Sequence, residues 1–337
     1  MRLAGYVVTF LVAAGVVLGA AAAYGAVADT GVEDPPEIEN EQYLDENLIN
    51  DRSPGVANVQ MSADVEEQTI VIDPGVDPQS APVNPLLALL GGLGPETADR
   101  DIRPLVNTLI DNGHEIRVHI PDEQQTRRAS TGDGPSELGK SLAGADAFVT
   151  FETEYSDSEL ADIETFSEED GRVVYASDPG DEFDQPGAVG LESRLNVARD
   201  PGYVYNLVEN DNNYQRLITQ PADETELTAG VERAVFPTAS PVSTPNGGAE
   251  MVPTDGARLS TSRAQTDAAI VARNGNVVIV GDTDFFTPEN AQRADNDVLI
   301  GNLADFLVRN DRDSEEQPPT DSEAESGQQE PQRPPLP

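Results

Sequence analysis

The chain has 337 residues, a formal net charge of -42 at pH 7, no cysteine and a single lysine, Lys140, among its 20 basic residues. This composition excludes disulfides, thiolate metal sites and cysteine nucleophiles, and it argues against nucleic acid as a ligand, because phosphate binding needs clustered Lys and Arg. An acidic surface that nearly lacks lysine is what we expect of a protein that stays hydrated in concentrated salt.

The N-terminal residues 1–28 are predicted to form a transmembrane helix or an uncleaved signal anchor. Residues 3–28 carry no charge, and a helix of that length spans roughly 39 Å against a hydrocarbon core of about 30 Å. Arg2 precedes the segment and Asp29 follows it, so the positive-inside rule leaves the N-terminus in the cytoplasm and the domain outside. The alternative is a cleaved secretory signal, because Ala26-Val27-Ala28 has the small-x-small form of a cleavage site. The sequence thus predicts a single-pass protein of the cell membrane, with the lipid bilayer as a partner.

Composition divides the rest of the chain into three parts. Residues 29–66 are rich in Asp, Glu, Asn and Pro and are predicted to be an acidic tether. Residues 67–310 carry the apolar patterns of an α/β domain. Residues 311–337 contain almost nothing to bury and are predicted to be a disordered, Pro-rich acidic tail.

Strand and helix patterns alternate through the predicted domain. Short apolar runs predict strands, and the apolar spacing of residues 101–112 predicts a helix that Gly113 ends. Ser156 and Glu159 form a capping box before a second helix, and a closing helix follows at residues 297–310. The predicted strands are residues 69–73, 115–120, 147–151, 173–176, 234–236, 268–272 and 276–280, the last two joined as a hairpin. The predicted fold class is α/β, with a mostly parallel, doubly wound sheet and an appended β-hairpin region.

Acidic residues follow several of the predicted strands. Ligands of open parallel sheets bind beyond the carboxyl ends of the strands. The residues at these positions are Asp73, Glu152, Asp178, Asp282 and Asp284. Carboxylates suit Mg²⁺ or Ca²⁺, so four of them, Asp73, Asp178, Asp282 and Asp284, are candidate metal ligands. In a chain with 62 acidic residues the alternative is solvated loops and helix caps.

The two histidines give no sign of a hydrolytic triad. His114 and His119 lie near no serine in a GxSxG pattern. His114 follows Gly113 and is predicted to lie at the C-terminus of the helix, and His119 is predicted to face solvent from its strand.

A polar, aromatic stretch between residues 203 and 220 is a candidate surface for a ligand or partner. It contains Tyr203, Tyr205, Asn206, Asn210 and Tyr214. Tyrosines among amide side chains suit binding surfaces. An irregular loop packed on the edge of the sheet is the alternative.

Three stretches together resemble a known family: residues 101–115, residues 202–212, and Gly281-Asp282-Thr283-Asp284-Phe285-Phe286 through Asp297. They resemble a haloarchaeal group of an uncharacterised membrane-anchored family. Its flavodoxin- or amidotransferase-like domain is similar to the auxiliary subunit of gliding-motility-type ABC transporters. The resemblance spans roughly residues 68–310. It implies a scaffold without amidotransferase chemistry, because this chain lacks the cysteine nucleophile of the enzymes.

Two functions follow as hypotheses. The first is a membrane-anchored, non-catalytic binding or scaffolding module that needs no cofactor and is accessory to a membrane complex such as an ABC transporter. The second is a metal-dependent extracellular hydrolase that uses the strand-end carboxylates. Convergence of those carboxylates on one point distinguishes the two. A structural envelope protein is a third class, but the sequence shows no internal repeat.

Overall fold

A computed structural model describes residues 58–75, 101–120, 135–180 and 188–310, together with Ala14 and Arg312. The described residues from 58 onward belong to one compact unit of the chain. The helices are α1 (Arg103–Asp111), α2 (Glu137–Ala143), α3 (Asp157–Glu168), α4 (Ala188–Leu195) and α5 (Asn296–Val308). The strands are β1 (Thr69–Asp73), β2 (Glu115–Val118), β3 (Ala147–Thr150), β4 (Arg172–Ala176), β5 (Ala198–Arg199), β6 (Val204–Tyr205), β7 (Leu217–Pro221), β8 (Ala234–Phe236), β9 (Val242–Ser243), β10 (Gly248–Pro253), β11 (Arg258–Leu259), β12 (Val271–Asn274) and β13 (Val277–Val280).

Local sequence accounts for the ends of the helices. Pro104 lies in the first turn of α1, where its missing N–H costs nothing, and Gly113 takes a φ of 88° just beyond the helix. At the start of α3 the Ser156 hydroxyl accepts a bond from Glu159 N, and the Glu159 carboxylate accepts one from Ser156 N. This reciprocal pair is the capping box that the sequence predicts.

The main sheet has nine strands in the order β2-β1-β3-β4-β13-β12-β10-β7-β8. The four pairs from β2 to β13 are parallel, and the four pairs from β13 to β8 are antiparallel. The prediction of a mostly parallel sheet with an appended hairpin is therefore wrong: the sheet is mixed, and the predicted hairpin β12–β13 joins its two halves. The remaining strands pair as β5 with β9 and β6 with β11.

Two apolar cores cover the two faces of the sheet. One contains side chains of α1 and α5 together with most of the antiparallel half, and the other contains side chains of α2, α3 and α4. Along β4, Val174 and Ala176 belong to the first core, whereas Val173 and Tyr175 belong to the second. This alternation follows from the two-residue period of a strand, and it decides which face each strand-end side chain meets.

Residues 58–63 pack against α5. The carboxylate of Asp305 accepts bonds from Ser62 N at 2.9 Å and Ala63 N at 2.9 Å, and Val59 is buried in the first core. The packed part of the chain therefore begins before residue 67, the predicted start of the domain.

The predicted membrane topology is corrected by the structure. Across the described ranges we find no helix that combines the length and the apolar character needed to cross a bilayer. The prediction of a transmembrane helix, and with it the single-pass location in a cell membrane, is wrong on this finding. Residues 3–28, to which that prediction referred, lie outside the described residues except for Ala14, as do most residues of the predicted tether and tail.

Candidate functional site

The carboxyl ends of the parallel strands meet at one edge of the sheet. Within this half, β1 lies between β2 and β3, so the strand order reverses between β1 and β3. Sheets of this order bind ligands beyond the carboxyl ends of the strands at such a reversal. The residue that β1 places there is Asp73, which lies opposite Thr150 of β3.

Asp73 is fully buried and belongs to a chain of hydrogen bonds. Its Oδ1 accepts a bond from Gly75 N at 3.0 Å, and its Oδ2 accepts one from the Tyr155 hydroxyl at 3.0 Å. The Tyr155 hydroxyl also lies 2.6 Å from Thr150 Oγ1. Burial, aided by the nearby Glu152, raises the pKa of Asp73 to about 7. Burial and the Asp73 carboxyl together raise the pKa of Tyr155.

His119 lies beside Asp73 on the neighbouring strand. Its backbone N–H donates to Ile72 O at 2.8 Å, and the register of β1 and β2 places it opposite Asp73. The side chain is 8% exposed, so the prediction that it faces solvent is wrong. Its Nε2 atom has no hydrogen-bond partner among the described residues. Burial lowers the pKa of His119, although Glu159 and Glu137 oppose this effect.

Asp178 and Asp282 form a second group at the same edge. Asp178 accepts bonds from Thr283 N at 2.8 Å and Thr283 Oγ1 at 2.6 Å, and Asp282 accepts one from Thr238 N at 2.7 Å. Burial raises the pKa of Asp282 well above the ordinary value, and repulsion by Asp178 adds to this. Asp284 begins a 3-10 turn, Asp284–Phe286, and its side chain is exposed. The carboxylates of Asp178 and Asp282 thus fix the backbone at Thr283 and Thr238.

The four candidate metal ligands do not form one group in the structure. Asp73 shares a row with Thr150 and Tyr175, on the face of the second core. Asp178 and Asp282 lie in loops two positions beyond the ends of β4 and β13, and their carboxylates are bonded to Thr283 and Thr238. Accordingly, in the part of the chain that the structure describes, no three His, Asp or Glu side chains are placed to hold a metal ion.

The candidate binding stretch forms an exposed loop surface between β6 and β7. Its tyrosine rings follow one another, with centroids 6.2 Å apart for Tyr203 and Tyr205 and 6.1 Å apart for Tyr205 and Tyr214. Leu207 is 66% exposed, Val208 is 87% exposed and Tyr214 is 46% exposed. We call Tyr203, Tyr205, Leu207, Val208 and Tyr214 the aromatic loop surface.

The two asparagines of this stretch are structural. Asn206 is fully buried; its Oδ1 accepts bonds from Val208 N and Glu209 N, each at 3.0 Å, and its Nδ2 donates to Asp255 O at 3.0 Å. Asn210 donates from Nδ2 to Asn206 O at 3.0 Å. These bonds fix the backbone that carries Leu207 and Val208, so the amides support the surface and do not themselves offer contacts.

Sequence reasoning missed the contributions of four residues. The predicted strand over residues 115–120 contains His119, whereas β2 ends at Val118, so only the structure places His119 directly after a strand. Tyr155 lacks such a signal, because it reaches Asp73 from the loop before α3. Leu207 and Val208 were not distinguished from core residues, since exposure of an apolar residue is a property of the fold.

Comparisons with known proteins give no family for this chain. No family model matches it, and no curated protein matches it. Among solved structures, it is similar to the exo-β-1,4-mannosidase Op5Man5 from Opitutaceae bacterium strain TAV5, with 12% identity, a TM-score of 0.38, and coverage of 71% of this chain and 35% of that one. A cold-adapted β-galactosidase from Rahnella sp. R3 shares 15% identity at a TM-score of 0.35, over 66% of this chain and 30% of that one.

A putative ThuA-like protein from Parabacteroides merdae ATCC 43184 shares 12% identity at a TM-score of 0.42, over 72% of this chain and 90% of that one. The chain spans about a third of the length of each of the two glycosidases. Likenesses this weak support no argument about function.

Proposed function

We propose that the domain is a non-catalytic binding module that docks a partner protein on the aromatic loop surface. The observation that carries the proposal is the exposure of Leu207 and Val208, at 66% and 87%, on a loop that is held by hydrogen bonds. Exposed apolar groups clustered with aromatic rings are typical of sites of protein interaction.

The loop cannot bury these side chains by folding back. Asn206 fixes the backbone on both sides of Leu207, and the Asp211 carboxylate is paired with Arg293 of the loop before α5. Covering an exposed Leu or Val side chain is worth roughly 1.5–3 kcal/mol, and a rigid loop loses little conformational entropy on binding. These features favour a partner with an apolar pocket.

Charge favours a different chain over a second copy of this one. Each copy carries a net charge of -42, so two copies repel one another. Glu209 and Asp255 lie beside the aromatic loop surface and are exposed. We therefore expect a partner whose apolar pocket is flanked by Arg or Lys. The resemblance to a transporter auxiliary subunit makes a membrane complex, such as an ABC transporter, the partner to test first.

The metal-dependent hydrolase is not favoured by any contact in the described residues. The carboxylates of Asp73, Asp178 and Asp282 are bonded to backbone amides and to hydroxyls, and no three His, Asp or Glu side chains in these ranges are placed to hold a metal ion. Neither histidine is hydrogen-bonded to a serine in the same ranges: His114 accepts from Gln68 N, and His119 Nε2 has no partner there.

Site-directed photocrosslinking in the native cells tests the proposal. A photoreactive residue at position 208 is compared with one at Ile110, which is 39% exposed on α1 and serves as the matched control. We expect a discrete product with a second protein from position 208 alone. That partner, purified, should bind the chain at least tenfold more weakly after Val208→Asp. Products that match those from position 110, or products with another copy of the chain, would overturn the proposal.

A further inference from the structure

The polar cluster at the reversal between β1 and β3 is not used by the binding module proposed above. It consists of Asp73, His119, Thr150 and Tyr155, and we call it the switch-point cluster. Asp73 and Thr150 are fully buried and His119 is 8% exposed, whereas Tyr155 is partly exposed. The cluster thus lies just beneath the surface, at the edge where sheets of this order bind ligands.

The cluster has unused hydrogen-bonding capacity. His119 Nε2 is buried without a partner among the described residues. The Asp73 carboxyl accepts two hydrogen bonds, from Gly75 N and the Tyr155 hydroxyl, out of about four that a carboxylate can accept. A buried polar atom left without a partner costs about 1–3 kcal/mol, so its presence in a folded domain calls for an explanation. A donor placed between β1 and β2 would satisfy both side chains.

The charges around the switch-point cluster indicate which kind of hydrogen-bond donor would bind there. Its titratable neighbours are Glu152 after β3, Glu159 on α3 and Glu137 on α2, and Glu137 is bonded to Lys140 at 2.5 Å. Among the described residues no Arg or Lys bonds to Asp73, His119 or Tyr155, so no basic side chain at the cluster favours an anion. The surplus of carboxylates favours a cation.

We propose that the switch-point cluster binds a small ligand through a protonated amine, which donates to Asp73 and to His119 Nε2. Three donors on one ammonium group match the acceptors that the cluster leaves open. Asp73 and Thr150 occupy one row of the sheet, and His119 directly follows Val118, which pairs with Ile72 in the adjacent row. The site is independent of the aromatic loop surface, so either proposal can fail without the other.

Nuclear magnetic resonance of the full chain provides the test, because the chain has only two histidines. Ethanolamine is the probe, and ethylene glycol, in which a hydroxyl replaces the ammonium group, is the matched control ligand. We expect ethanolamine to shift the ring resonances of His119 saturably at pH 8 and to leave His114 unchanged. Binding should weaken roughly tenfold at pH 6, because the pKa of Asp73 is about 7 and the pKa of His119 is lowered by burial.

Variants distinguish binding of ethanolamine at a defined site from nonspecific attraction to the acidic surface. Asp73→Asn should weaken ethanolamine binding at least tenfold, and Asp111→Asn, at an exposed position on α1, should leave it unchanged. His119→Gln is a second variant, for use in case Asp73→Asn does not fold. Calorimetry measures its binding of ethanolamine, which should also be weakened relative to Asp111→Asn. Equal shifts by ethylene glycol, shifts of both histidines together, or equal weakening by Asp111→Asn would each overturn the proposal, as would the absence of saturation.

Discussion

The hydroxyl of Tyr155 lies 3.0 Å from Oδ2 of Asp73, although the two residues are 82 positions apart in the chain. This bond joins the end of β1 to the loop that enters α3, across the reversal in strand order. A donated hydrogen bond favours the ionised carboxylate, but burial acts in the opposite direction and is the larger effect, so the pKa of Asp73 is raised. The carboxyl therefore destabilises the fold whenever it is ionised.

Asp73→Asn tests this conclusion through the pH dependence of stability. The folded-state pKa is about 7 and the ordinary value is 3.8. Between these values the unfolded chain releases a proton that the folded chain keeps, so the contribution of Asp73 to stability falls as pH rises and is fully unfavourable above pH 7. The variant should gain stability over the native chain across this range, up to a limit of about 4 kcal/mol.

Denaturant unfolding at pH 4.5, 6 and 8, at constant salt, measures that difference. Asp111→Asn is the control, because its side chain is exposed on α1. If the difference between Asp73→Asn and the native chain stays constant over the series, the carboxyl does not titrate in this range and the conclusion fails.

Asn296 provides a prediction about the junction of α5 and β8. It is fully buried, and its side chain accepts from Val235 N and donates to Val235 O and Asn290 O, each at 2.8 Å. Asn296→Ala should lower the free energy of unfolding by about 3 kcal/mol, because it leaves buried backbone groups without partners. Asn302→Ala, which removes bonds to Leu227 O and Ala229 O at a partly exposed position, should cost about 1 kcal/mol. Equal losses in chemical denaturation would contradict this ranking.

Gly301 tests the packing of residues 58–63 on α5. A Cβ at this position would lie 2.2 Å from Gln60 O, a backbone atom, so Gly301→Ala must displace that segment. We expect a loss of about 1–3 kcal/mol, despite the gain in helix propensity of about 1 kcal/mol. At Gly190 on α4 a Cβ would meet a side-chain carbon of Leu160 at 3.1 Å, which can move, so Gly190→Ala should be neutral or stabilising. Thermal unfolding compares the two, and the same sign for both would refute the interpretation.

Asn206 links the stability of the domain to the aromatic loop surface. Asn206→Ala removes the acceptor of Val208 N and Glu209 N and should cost about 2–3 kcal/mol. Val208→Ser, at a side chain that is 87% exposed, should change stability by less than about 0.5 kcal/mol. Both variants should weaken partner binding. A large loss of stability in Val208→Ser would show that the side chain packs within the domain.

Sequence reasoning located elements well where local signals are strong. The capping box of α3 and the glycine after α1 fix helix ends by contacts within a few residues, and both are present in the structure. Two strands of the antiparallel half, β7 and β10, were missed because they mix apolar, polar and proline residues, and their pairing is set by distant strands. Long-range pairing leaves little trace in a local pattern.

The candidate site, too, could be predicted from the sequence only in part. That Asp73, Asp178 and Asp282 lie at strand ends follows from sequence, because the apolar runs end there. Which face each side chain meets does not follow, since an offset of one residue reverses the face. Asp73 is the last residue of β1, whereas Asp178 and Asp282 each lie two residues beyond the ends of β4 and β13. Beyond a strand end the position of a side chain is set by tertiary contacts, such as the bonds of Asp178 to Thr283 and of Asp282 to Thr238, which the sequence does not reveal.

Divalent metal provides the last prediction. A specific site at a hundredfold excess of ion over its dissociation constant would stabilise the fold by about 2.7 kcal/mol and raise the melting temperature by about 5 °C or more. Because no three His, Asp or Glu side chains of the described residues are placed to hold a metal ion, we expect Ca²⁺ or Mg²⁺ to change the melting temperature by less than about 1 °C in concentrated NaCl, where nonspecific attraction is screened. Removal of metal with EDTA should have no larger effect. A rise of several degrees in the melting temperature that Asp282→Asn abolishes and Asp111→Asn retains would establish a metal site at Asp178 and Asp282. That result would support the hydrolase hypothesis.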